Sequence, residues 1–454
     1  MASLPHGRGS VIFGLPLALF LLLITRNVSP EPYLYDEADY MYAASLGFAA
    51  NWSDTPSMPI ADFMRAGLHR DGRQVLSERI RSGNDVLFYR HFHGPLFHYF
   101  LIPVSRLGLS EHGVRLCMLA IPAGTLAVIY FLCPLPPFLP ALLFLTSYSV
   151  IFSTELAPHQ LFALCSVACL LLLWKAVDTG RRVFWYASVM VSGLAFCTLE
   201  VAFVLILTLA ICGVIECIDG KCAIKSLALF VGTVMAVWPA AILRLSFVKS
   251  YAVMAYLALM REAPWGHAGF IDTWHARIVD SPLEWTLIAF ALLAGFGKRR
   301  LYPIGLFVVL MLLATLRVLT STPRYSLTFM PALDVLAGLT LLPSLGTLRR
   351  PASFAVVALA IAGLYASAWL QVAHQSHNSN PRSTAVLTYI HQNRLENKTL
   401  LVPQADLPAL HYYFPGMRLR GYPGAEPSIT EQEGFTPDSI LSTGDSRPIP
   451  ASKP

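Results

Sequence analysis

The sequence predicts an all-α polytopic membrane protein of about 11–13 transmembrane helices, with a large first extracytoplasmic loop and a small C-terminal α/β extracytoplasmic piece. Three observations lead there. Of 454 residues, 55% are hydrophobic and 13% charged, with a mean hydropathy of +0.56. That charged share is about half of what a soluble globular domain carries, which excludes a cytosolic enzyme, a disordered chain, a coiled coil and a collagen-like protein. Apolar runs recur at the length a bilayer demands, about 20 residues each. All eight cysteines lie in or beside those runs, so neither a disulfide framework nor a CxxC zinc site is expected. The net charge of +6, from 33 Lys+Arg against 27 Asp+Glu, is assigned to loop anchors that set topology, with no nucleic-acid partner.

Taken in order, His6 to Arg8 followed by the apolar run 11–25 is built like a signal peptide, but TRNVSPEP follows with no small-residue cleavage site. The run is therefore expected to stay as the first membrane helix. A polar stretch, 26–91, comes next. Apolar segments then lie near 95–109, 113–132, 135–153, 157–175, 183–199, 200–217, 224–246, 283–297, 301–318, 325–346 and 352–371. Residues 248–282 form a second polar stretch rich in Trp, His and Pro, and 372–454 a third of ordinary soluble composition. A transmembrane catalytic domain is thus expected over 1–371, including the loop 26–94, followed by an extracytoplasmic region over 372–454. Within the tail, 383–394 has helical spacing, 399–403 (TLLVP) has the pattern of a buried strand, and the Pro, Ser and Gly-rich end is expected to be disordered after about 423.

Short basic loops fix the orientation. Arg181-Arg182, Lys221 with Lys225, Lys298-Arg299-Arg300 and Arg349-Arg350 should be cytoplasmic, which places 248–282 and 372–454 outside. Counting back from them puts 26–91 inside, whereas the basic N-terminus puts it outside. One early segment must fail to cross. The expected one is 95–109, which holds His98, Pro103 and Arg106 and should dip in and return or lie at the interface.

Several side-chain groups can carry chemistry. Tyr35-Asp36-Glu37-Ala38-Asp39-Tyr40 follows the first helix. Asp36 suits a helix N-cap with Glu37 and Asp39 in the first turn, and equally a general base near a lipid-borne substrate. Tyr89 to His98 (YRHFHGPLFH) offers Arg90, His91 and His93 to a phosphate, or serves as an interfacial anchor. Its HxH pair lacks a third metal ligand at telling spacing. Glu155 and His159, in STELAPH, place an acid and an imidazole between two apolar runs, as a cavity requires. Glu200 lies within another apolar stretch. Arg324, in TPRY at the outer end of a late helix, can snorkel or reach a phosphate.

These segments, in this order, resemble the GT-C glycosyltransferases, in particular bacterial relatives of the protein O-mannosyltransferases and of the lipid A aminoarabinose transferase. The resemblance rests on YDEADYMYAA after helix one, HGPLFHYFL, the GLAF-T stretch GLAFCTLEVAFVL, PRYSLTFMPAL, and the TYI, LLVP and ALHYYFPG elements of the tail, and spans about 30–416. Two positions depart from the family. Many members place Lys where Gly94 stands, and the GLAF-T stretch usually continues with Lys where Leu199-Glu200 follow Thr198.

The resemblance implies inverting transfer of a hexosyl or pentosyl unit from a polyprenyl-phosphate donor to a hydroxyl-bearing acceptor, at the outer face of a bacterial inner membrane. It implies Asp36 as the base. Glu37 would orient a substrate or a basic partner, and Arg90, His91, His93, Arg324, Glu155 and His159 are the candidate donor-phosphate or substrate contacts. No cofactor is expected, with a divalent cation left open. The rival readings are a transporter or lipid flippase, for which no internal repeat is found, and a non-catalytic homologue. Asn51 and Asn397 stand in glycosylation sequons, which settle nothing about the host.

Overall fold

The structure is a computed structural model. It describes residues 6–33, 35–53, 93–133, 138–248, 250–251, 275, 278–295, 299–315, 323–345, 350–374, 381–403, 407–422, 439–441 and 448–450. Two compact units emerge. The first comprises Met1–Val28, Arg115–Val237 and Met254–His377; the second comprises Ser29–Val114, Trp238–Val253 and Asn378–Pro454. The chain therefore groups differently from a simple division near 371. The polar stretch after the first helix and part of the second polar stretch belong with the C-terminal piece.

The first unit is all helix. Its centre is the Pro158–Thr179 helix, against which Arg182–Phe196 and Ala120–Leu132 pack. Pro158 pre-sets the backbone at the first helical position, and Gly180 ends the helix at φ 67°, where a side chain would be strained. This helix buries 67% of its apolar window, against 11% for Gly220–Val237, whose Ile224 and Leu227 face outward. An apolar outer face on a helix this long suits lipid rather than water. Among the described residues, three helices are long and apolar enough to cross a membrane, and seven shorter apolar helices of 10–17 residues accompany them. The protein is a multi-pass, all-α membrane protein, as its sequence predicts.

At one end of this unit the basic loops gather. Arg182 pairs with Asp219 at 2.7 Å, Arg300 with Asp178 at 2.8 Å, and the Tyr302 hydroxyl donates to Glu216 at 2.8 Å. Asp219 also caps the Gly220–Val237 helix by accepting the Cys222 N–H at 2.6 Å. That amide and the Arg182 guanidinium hold its carboxyl below the usual carboxylate range. The 22 residues from Pro158 to Thr179 cover about 33 Å at 1.5 Å each, so Pro158 stands a bilayer's thickness from this basic end.

The second unit joins short helices to a small sheet. Strands β1 (Thr399–Pro403), β2 (Arg418–Tyr422), β3 (Ser439–Leu441) and β4 (Pro448–Pro450) are ordered β2-β1-β3-β4. β1 runs parallel to both β2 and β3, and β4 is antiparallel to β3. Val386 and Ile390, one turn apart on Pro381–Gln392, pack against Leu400, Val402 and Leu419. The expected helix and strand of the tail are thus both present. The expectation of disorder after about 423 fails at β3 and β4: each is three residues long, too short to show alternation, and is held by neighbours rather than by its own pattern. The segment expected to dip without crossing folds as Leu96–Ser105. Ten residues reach about 15 Å, half of the hydrocarbon thickness.

Candidate active site

In the second unit the acid motif forms the Tyr35–Ser45 helix, with Asp36 and Glu37 both in its first turn. Asp36 is therefore inside the helix rather than its cap, a two-residue difference within the ordinary fuzziness of helix ends. Asp36 is exposed and Glu37 buried. Residues four apart share a helix face, so Asp36 lies over Tyr40. Tyr40 is packed by His93 at 6.1 Å, Phe97 at 5.5 Å and His98 at 6.0 Å between ring centroids. The acid helix and the HGPLFH segment, some fifty residues apart, thus build one surface.

The C-terminal piece flanks the same helix. Leu407–Tyr413 packs on Tyr35–Ser45, with the His411 ring 6.0 Å from Tyr42. The Tyr33 N–H donates to the Tyr413 hydroxyl at 2.9 Å, and that hydroxyl donates to Glu111 Oε1 at 2.8 Å. Burial pushes the Tyr413 phenol up, and burial pulls the His411 imidazole down, so each stays neutral over a wider range. Tyr33 leads directly into the acid helix. Tyr413→Phe removes both bonds and is expected to lower stability by about 1–3 kcal/mol, seen as a lower melting temperature. Because the entry to the Asp36 turn loosens, turnover should fall with it.

In the first unit a second group assembles from distant segments. Glu155 Oε1 lies 3.6 Å from Arg324 Nε, both side chains 17% exposed. The Tyr325 ring meets the buried His159 edge-on at 5.2 Å, and the Arg324 guanidinium sits 5.0 Å from the same ring. His159 follows Pro158 at the N-terminus of the central helix, where backbone N–H groups lack intrahelical partners and the dipole favours an anion. The loop is tied in place: Asn27 donates to the Ile151 carbonyl at 3.0 Å, Thr154 donates to the Asn27 carbonyl at 3.1 Å, and Gln160 donates to the Ser153 carbonyl.

The structure thus brings Glu155, His159 and Arg324 together in one unit, and Asp36, Glu37 and His93 in the other. Arg90 and His91 lie outside the described residues. Glu200 stands in the turn between Arg182–Phe196 and Ala202–Ile215. Tyr413 and His411 were visible in the sequence only within ALHYYFPG, since nothing local marks them as partners of a helix some 370 residues earlier. Asn51 is fully buried, and its amide donates to the Ala43 and Gly47 carbonyls at 2.7 and 2.8 Å. That makes it a structural residue rather than an open glycosylation acceptor.

No family model and no curated protein matches the chain. Solved structures do. ArnT from Cupriavidus metallidurans, bound to undecaprenyl phosphate, aligns at TM-score 0.60 and 14% identity, over 92% of this chain and 86% of that one. The Archaeoglobus fulgidus oligosaccharyltransferase aligns in its apo form at TM-score 0.54 and 11% identity, and in a complex with Zn and sulfate at 0.51 and 12%. This chain covers 91% of its own length in both, but under two thirds of the oligosaccharyltransferase, 64% and 62%. At these identities the likeness is one of fold: the chain shares the architecture of ArnT and of the archaeal oligosaccharyltransferase.

Proposed function

We propose that the protein is an integral-membrane glycosyltransferase that moves a hexosyl or pentosyl unit, with inversion, from a polyprenyl-phosphate donor to a hydroxyl-bearing extracytoplasmic acceptor. The observation that carries this reading is the Arg324–Glu155–His159 group at a helix N-terminus, in a fold shared with ArnT. A guanidinium beside the positive end of a helix suits a phosphate, and ArnT has been captured with undecaprenyl phosphate.

The chemistry follows from the donor. A sugar phosphate already carries a competent leaving group, so no strong acid is needed. The reaction needs a base for the acceptor proton and positive groups for the phosphate that departs. Asp36, exposed in its helix turn, takes the first role, with Glu37 buried beside it as its orienting neighbour. Arg324 takes the second, with His159 and the N-terminus of the central helix beside it. Many members of the family it resembles place a lysine that contacts the donor phosphate where Gly94 stands, and the GLAF-T stretch usually continues with Lys where Leu199-Glu200 stand, so Arg324 carries more of the phosphate here.

The test is direct. Purified protein in detergent is given a radiolabelled polyprenyl-phosphate sugar, and release or transfer of the sugar is followed. Absence of turnover with every polyprenyl-phosphate hexose and pentose tried would discard the reading. Orientation has its own test: cysteines placed at Ser82 and Ser383 should both react with an impermeant thiol reagent added from the extracytoplasmic side. Labelling from opposite sides would refute the shared orientation.

A further inference from the structure

Two carboxyls lie deep in the first unit and take no part in the chemistry above. Glu284 sits in the first turn of Pro282–Gly295 and Asp334 in Met330–Leu345; they are 2% and 0% exposed. These helices pack on each other, and Met330–Leu345 also packs on Phe138–Thr146. The latter approach is close: a Cβ at Gly338 would fall 2.5 Å from the Pro140 backbone. One turn earlier on the same helix, Asp334 reaches the end of Phe138–Thr146. There the backbone turns extended at Ser147, φ −62° and ψ 125°, before Tyr148–Phe152. The Tyr148 N–H donates to Glu284 Oε2 at 3.2 Å, and the buried Ser147 side chain lies against both carboxyls.

Charge and hydrogen bonding do not balance at this point. Among the described residues, no Lys, Arg or His forms an ion pair with Glu284 or Asp334. Glu284 Oε1, both Asp334 oxygens and Ser147 Oγ are buried outside hydrogen-bond geometry. The hydroxyls of Ser147 and Ser281, which both lie against Glu284, carry one hydrogen each and cannot cancel the charge of two carboxylates. Two acids in apolar surroundings are costly without positive compensation. The end of Phe138–Thr146 adds the negative pole of a helix. A shared proton would cancel one charge and supply one donor. A divalent cation would cancel both charges and use the oxygens as ligands. Among the described residues no third His, Cys, Asp or Glu joins the pair, so a cation here would have to draw its remaining ligands from hydroxyl and main-chain oxygens. That set suits calcium, which accepts six to eight oxygens in flexible geometry, better than zinc, which favours nitrogen and sulfur, or magnesium, which keeps its water.

We propose that Glu284, Asp334 and Ser147, with the main chain at the end of Phe138–Thr146, form a buried site for a hard divalent cation of the calcium class. An ion there pins the helix break at Ser147. The chain runs from that break through Phe152 into the loop that carries Glu155 and His159, so the site would set how firmly that loop is held.

The test uses the full-length protein, purified in detergent and stripped with a chelator. Its thermal unfolding is followed against CaCl2, MgCl2 and NaCl, with choline chloride holding ionic strength constant, from pH 5.5 to 8. Calcium should raise the melting temperature saturably by several degrees at neutral pH. Magnesium and sodium should do much less. Asp334→Asn and Glu284→Gln should abolish the rise, whereas Glu216→Gln, at the opposite end of the unit, should keep it. Ser147→Ala retains both carboxylates and should weaken the calcium midpoint several-fold, which covers the case in which the acid variants fail to fold. Equilibrium dialysis with radioactive calcium should find about one ion per wild-type chain. No calcium-specific rise and no bound ion would overturn the proposal. A melting temperature that responds to acid but not to calcium would also overturn it, and would assign the pair to a proton.

Discussion

Asp36→Asn is expected to cut sugar transfer by about 10²–10⁴-fold, the ordinary cost of losing a general base, in a protein that remains folded. The exchange is nearly isosteric, so what it removes is basicity. A purely structural Asp36 predicts otherwise. In the first helical turn its charge complements the helix dipole, worth about 0.3–1 kcal/mol, and Asn would lose that much stability and little turnover. The two roles separate cleanly because Asp36 is exposed while Glu37 is buried. Glu37→Gln should reduce stability as well as rate. Turnover of the purified variants and their melting temperatures, measured on the same preparations, decide the matter: a folded Asp36→Asn enzyme with near-normal turnover removes this residue from the mechanism.

The architecture was legible in the sequence because a bilayer imposes one length on every span, and composition alone reports it. The acid motif was legible because three carboxylates in four residues at the end of an apolar run are rare. The partnerships were not. Glu155 and Arg324 each stood out as polar residues at the ends of apolar segments, yet their 3.6 Å approach depends on packing between elements 169 positions apart. Glu284 and Asp334 carried the same signal, an acid inside an apolar run (PLEWTLIAF and MPALDVLAGL), but their neighbours on the opposing helices have no local mark. The short strands β3 and β4 failed for a different reason: Pro448 and Pro450 in a Pro and Ser-rich end point to disorder, and only pairing with β3, itself paired with β1, makes them a strand.

Arg324→Ala should weaken donor binding by about 1.5–3 kcal/mol, roughly ten- to hundredfold in affinity, the range for hydrogen bonds to a charged group. The structure refines this expectation through Glu155. At 3.6 Å the pair is a charge contact beyond hydrogen-bond length, while the guanidinium donates to the Tyr325 hydroxyl at 3.2 Å. Removing Arg324 also takes away the positive charge that faces the largely buried Glu155 carboxylate, which then repels the donor more strongly. Part of the loss therefore belongs to Glu155, and the double variant Arg324→Ala with Glu155→Gln should bind the donor more tightly than Arg324→Ala alone. Glu155→Gln by itself should keep or improve affinity, because it removes a negative charge beside the phosphate position. Arg324→Lys should recover only part of the binding, since a point charge replaces a planar fork that also rests against the Tyr325 ring. If Arg324 instead only anchors its helix at the interface, the lysine variant behaves as wild type, and titration of the polyprenyl-phosphate sugar gives one affinity for wild type and all four variants.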